Sequence, residues 1–79
     1  SSVNVAELQK LIAEVELYRN SIVEQFYELA TILGSAISTA SITLNNIKST
    51  QMDIDAAVGE LQRVLIYKQH EVIRRHLRQ

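Results

Sequence analysis

The stretch FYELATILGSAISTASITLNNIKSTQMDIDAAVGELQRVL, residues 26–65, decides the fold. Apolar or small side chains fall at Phe26, Ala30, Leu33, Ile37, Ala40, Leu44, Ile47, Ile54, Val58, Leu61 and Leu65, and again at Val72. With Gln51 and Lys68 in their places, every step alternates four and three. That alternation puts all members on one side of an α-helix, as in the seam of a coiled coil. The chain is therefore expected to be all-α.

Upstream, Leu8, Leu11, Val15, Tyr18 and Ile22 form a second stripe, widened by Ile12 and Leu29. Asn4 is placed to cap this helix, with Glu7 at the capping-box position. From Tyr18 through Ile22 to Phe26 there are two fours in a row, a stutter that locally relaxes a coiled coil.

Downstream of Leu44 the helix meets Asn45 and Asn46, which tolerate non-helical conformations. Thr50 with Asp53 then resembles an N-terminal cap, and Asp53 and Asp55 suit the positive end of a helix dipole. A turn is expected within residues 45–52. Gly34-Ser35 is the competing break, because glycine costs about 1 kcal/mol in a helix interior. The expected architecture is a long helical hairpin: a first helix over residues 1–44 and a shorter antiparallel partner over 53–77.

The middle of the first helix is apolar or small on several sides. Ala30, Gly34, Ser38 and Ser41 make a row of small residues that lets another helix come close. Leu29, Leu33, Ile37 and Leu44 lie on the opposite side, and Ile32 and Ile42 point elsewhere. Such a helix is buried on several sides, and one hairpin covers only one of them. The seam from Phe26 to Leu65, with Leu29, is thus expected to be an interface. It would complete a coiled coil or helix bundle in a homo-oligomer or against the helices of a partner.

Composition supports this. The chain has 79 residues, no proline, no cysteine, no tryptophan and two glycines. It holds one domain at most, and small domains bury a smaller share of their surface than large ones. Without cysteine, disulfides and thiolate metal sites are excluded, which leaves association. The same lack fits a reducing compartment, so an intracellular location is favoured, and no signal peptide is expected. Leu29–Ile47 is uncharged over 19 residues, about the length of a bilayer span. Six hydroxyl residues and two asparagines make it too polar for one.

Charge is polarised along the chain. Residues 1–60 carry three cations against eight carboxylates, a net −5, and residues 61–79 carry five cations against Glu71, a net +4. Lys68, Arg74, Arg75 and Arg78 are the candidate contacts for an anion or a partner. Cations near a helix C-terminus also complement its dipole. In a hairpin they would lie towards the acidic stretch Glu14–Glu28. Docking on an anionic membrane or on the phosphates of a nucleic acid is the alternative use. Nucleic acid is the less favoured of the two, since only Tyr67 lies near for stacking.

No catalytic constellation is found. His70 and His76 are six apart, off the four-residue spacing that lets two imidazoles grip one metal. Gly34 and Gly59 are isolated and form no phosphate loop. The chain is expected to be no enzyme and to need no cofactor. A long heptad run with a central glutamine, Gln51 between Ile47 and Ile54, and a basic end resembles a SNARE motif in spacing over residues 26–79. Any heptad seam with one polar layer shares that spacing.

Overall fold

The computed structural model describes residues 2–78 and contains three α-helices: α1 (Ala6–Ile22), α2 (Tyr27–Asn45) and α3 (Gln51–Leu77). All three pairs of helices are in contact. Short turns join them, so the chain runs up, down and up, with α2 antiparallel to both neighbours. The bundle is a rod of 51 × 17 × 15 Å.

The all-α expectation holds, and the two-helix hairpin is replaced by three helices. The first arm breaks at Val23–Phe26, where the stripe stutters. The break needs neither glycine nor proline. Val23 is still helical, whereas Phe26 sits at φ −130°, ψ 63°. The Phe26 amide donates to the Ile22 carbonyl at 2.7 Å, and its own carbonyl accepts from Ala30 at 3.0 Å. The turn is thus tied to both helices it joins. Its energetic reason is burial. The Phe26 ring is buried with Ile22 and Leu29 in the common core, and α1 is folded back along α2. A continuous helix would have left the stripe from Leu8 to Ile22 without a surface of its own chain to cover it.

The second turn lies where expected, at Asn46–Thr50. Asn46 is extended, and its side-chain oxygen accepts from the Lys48 amide at 2.9 Å. The Ser49 hydroxyl donates to the Thr43 carbonyl at 2.7 Å, satisfying the end of α2. Thr50 and Asp53 form a capping box: the Asp53 amide donates to Thr50 Oγ1 at 3.1 Å and the Thr50 amide to Asp53 Oδ2 at 2.9 Å. The helix passes through Gly34-Ser35 without a break. A Cβ at Gly34 would stand 3.3 Å from Arg19 Nε, so the bare glycine makes room for an α1 side chain.

Asn4 caps differently from expectation. The N-cap position is Val5, without a side-chain cap bond. Asn4 Oδ1 accepts from the Ala6 amide at 3.0 Å. The Asn4 amide donates to Gln51 Oε1 at 2.8 Å, and Gln51 Nε2 donates back to the Asn4 carbonyl at 3.1 Å. Gln51 is exposed. It is therefore no polar layer inside a seam, as the SNARE-like spacing would have it, but a clasp that sets the start of α1 beside the start of α3.

The core is wholly apolar among the described residues. Leu8, Val15, Leu33, Ile54 and Leu61 are its largest fully buried side chains, and no polar side chain is buried with them. Thr31 and Thr39 donate their hydroxyls to the carbonyls of Tyr27 and Ser35 one turn earlier. Among the described residues no helix is long and apolar enough to cross a membrane.

Burial ranks the side chains by their contribution. Leu33→Ala and Leu61→Ala should each lower the unfolding free energy by about 2–5 kcal/mol. Thr50→Ala should cost about 1 kcal/mol through the lost cap. Ile47→Ala, at a side chain 97% exposed, should change it by less than about 0.5 kcal/mol. Urea unfolding followed by circular dichroism measures all four.

Candidate interaction surface

The side chains expected at an interface lie mostly inside the chain's own core. Phe26, Leu29, Leu33, Ile37, Ala40, Ile54, Val58 and Leu61 are buried. Leu44 and Leu65 are half-buried against them. Ile47 stands in the turn, in solvent. The reason is α1: by folding back it supplies the additional helix that α2 required. The small row works the same way. Ala30 is buried, Gly34 meets Arg19, and Ser38 lines a hollow between α1 and α2.

A different set of apolar side chains stays outside. Met52, Ile66, Ile73 and Leu77 are exposed on α3, at 80%, 51%, 59% and 79%. Met52, Gly59, Ile66 and Ile73 follow one another at intervals of seven, and Ala56, Arg63, His70 and Leu77 interleave them. This is a second heptad seam. It is offset by two residues from the buried one, or about 200° around the helix, so it faces away from the core. The pattern is present in the sequence, but its apolar members are sparser than those of the buried seam.

A groove runs beside this seam, between α2 and α3 on the side away from α1. It measures about 640 Å³ and is lined by Ser35, Thr39 and Ile42 from α2 and by Asp53, Ala56 and Glu60 from α3. Its walls are low because the side chains are short. A further hollow, lined by Tyr67, His70 and Arg74 among others, lies nearer the C-terminus of the same helix.

α3 is longer than its neighbours, with 27 residues against 17 and 19. Its last buried residue is Leu61, and Val72 is the last one packed against the core. From Ile73 onward every described residue is exposed. Of the basic group, Lys68 is half-buried and Arg78 follows the last helical residue. Arg74 and Arg75 both reach back to Glu71, at 2.7 and 2.9 Å. The ion pairs of the described residues all lie within α3. The basic tail thus pairs within its own helix, and among the described residues not with the acidic stretch Glu14–Glu28.

The hydrogen bond from Arg75, reinforced by the charges of Arg74 and Arg75, holds the Glu71 carboxyl below its usual range. A depressed carboxylate stabilises the fold above the unfolded pKa and loses that effect as pH falls through the folded one. Beside Glu60, the Arg63 guanidinium is held more firmly protonated by its hydrogen bond. Burial pushes the Tyr18 phenol up. Among the described residues no group of three or more His, Asp or Glu side chains is placed to hold a metal ion.

The two glycines separate local cost from local need. Nothing lies within 4 Å of a Cβ built on Gly59. Gly59→Ala should raise the stability of the isolated bundle by up to about 1 kcal/mol. Gly34→Ala should gain less, because the added methyl must push Arg19 aside. Thermal melts of the two variants in dilute solution test the order. Glu71→Gln should flatten the acid side of the pH dependence of helicity at residues 72–77, read from amide chemical shifts.

Compared with protein-family models, curated proteins and solved structures, the chain matches none.

Proposed function

We propose that this chain is a non-catalytic protein–protein interaction module. It is a three-helix bundle that presents the outer seam of α3, with the adjoining α2–α3 groove, to another helix. The observation that carries the reading is the exposed line Met52, Ile66 and Ile73, with the half-buried Gly59 at the intervening heptad position, opposite a core that is already complete. Large side chains repeated at heptad spacing on a solvent-facing side contribute little to the isolated bundle. They are what knobs-into-holes packing against a further helix requires. The inner seam builds the bundle and the outer one recruits.

The test is site-specific photocrosslinking in cells that express the chain. A benzophenone side chain is placed at position 66 or 73, and at Leu17, an exposed leucine of α1, as the control. Discrete adducts are expected at 66 and 73 and not at 17. Equal labelling at all three positions, or none at 66 and 73, would overturn the reading. The adduct mass separates a second copy from a different protein.

A further inference from the structure

Resting on that reading, we infer that the occupant of the outer seam is a second copy of this chain. The two α3 helices pack antiparallel across a two-fold axis near Arg63 and Ile66.

Charge along α3 selects both the occupant and its direction. The first ten residues of the helix carry Asp53, Asp55 and Glu60 and no cation. From Arg63 to Arg78 there are five cations and one carboxylate, Glu71. A parallel pair sets acid against acid at one end and base against base at the other. An antiparallel pair sets the acidic half of each copy against the basic half of the other. With Met52 of one copy level with Leu77 of the second, Asp53 falls between the second copy's Arg74 and Arg78. Asp53, Arg74 and Arg78 all lie on the same flank of the seam, and in antiparallel pairs like flanks meet. The two-fold axis makes the contact twice, as an isologous interface demands.

Gly59 is a second, independent observation. A glycine inside a helix costs stability, and here nothing within 4 Å of its missing Cβ explains it. It lies in the outer seam. In the antiparallel register it faces His70 of the second copy, and a bare backbone there lets the larger ring approach. The isolated bundle has no use for that gap, whereas a second helix does.

The overhang of α3 completes the case. Residues 73–78 extend past the part of their own bundle that could cover them. In the pair they lie along the acidic start of the other α3, and Ile73 and Leu77 gain Ala56 and Met52 as neighbours. The face sets the strength: α3 is about 40 Å long and one helix about 10 Å wide, about 400 Å² per partner, which is a weak, reversible pair rather than an obligate one.

The absence of cysteine in the native chain makes the test direct. Light scattering from about 1 μM to about 1 mM should show a shift from one to two chain masses of 8.9 kDa. Gly59→Leu should weaken the pair at least tenfold, by roughly the scale of one lost seam contact, while keeping the helical spectrum and a cooperative melt. Asp53→Arg, which also removes the carboxylate of the α3 cap, should weaken it, as should Arg74→Asp with Arg78→Asp, and mixing the two variants should restore a heterodimer, which a lost cap alone would not do. On oxidation, Met52→Cys chains mixed with Leu77→Cys chains should crosslink, and Met52→Cys chains alone should not. A monomer throughout the range overturns the inference, and so does a dimer indifferent to Gly59→Leu or self-crosslinking of Met52→Cys. If the chain is monomeric but its seam positions give adducts with another protein in cells, the interaction reading stands and the second copy falls. Absence of self-association together with salt-sensitive binding to phosphatidylserine vesicles overturns both.

Discussion

Phe26 leaves the helical region while the residues on either side of its turn remain helical, and that departure folds α1 back along α2. Everything else in the bundle depends on it. With the helix unbroken, α2 would have α3 along one side and solvent along the other. Leu8, Leu11, Val15 and Ile22 would face nothing. With the break, one apolar core takes side chains from all three helices and carries no polar group that needs a partner. The turn is cheap because both of its backbone bonds are kept, to Ile22 and from Ala30. Its buried ring returns more apolar burial than two residues of helix would.

The clasp between Asn4 and Gln51 acts at the other end of the rod. Two hydrogen bonds join residues 47 apart in sequence and fix how far α1 slides along α3. Apolar packing sets which sides of helices meet, but it tolerates axial slippage by a turn. Directional bonds at one end and a buried ring at the other remove that freedom. The length of α3 then determines what remains outside, since neither α1 nor α2 extends as far.

Helix class, the turn at Asn46–Thr50 and the Thr50–Asp53 cap were legible because each is local: a spacing of three and four, a pair of asparagines, a hydroxyl three residues before a carboxylate. Most of the seam residues, expected at an interface, lie in the chain's own core, with Leu44 and Leu65 half-buried and Ile47 and Gln51 in solvent. What covers them was not legible, because the stutter at Tyr18–Ile22–Phe26 reads equally as a relaxed coiled coil and as a chain reversal. A phenylalanine offers no turn signal of the kind glycine or proline gives. Whether it turns depends on packing gained between residues far apart, which spacing along one helix does not contain. Asn4 illustrates the same limit. Its capping chemistry was readable, whereas its partner 47 residues away was not. The outer seam lay in plain view at intervals of seven, yet only the location of the core reveals that it faces solvent.

The sign pattern on α3 bears on what such a face can meet. An amphipathic helix that lies on an anionic membrane carries cations beside its apolar side. On α3 the apolar line runs from Met52 to Leu77, but the cations accompany only its second half. Asp53, Asp55 and Glu60 accompany the first, and a surface of one sign would repel that half while attracting the other. Shortening the contact to the C-terminal turns would keep the cations and abandon Met52. A helix whose own charge reverses midway satisfies both halves at once. The chain contains one such helix, α3 itself, and near-neutrality of the whole molecule follows from the same reversal that would let two copies pair.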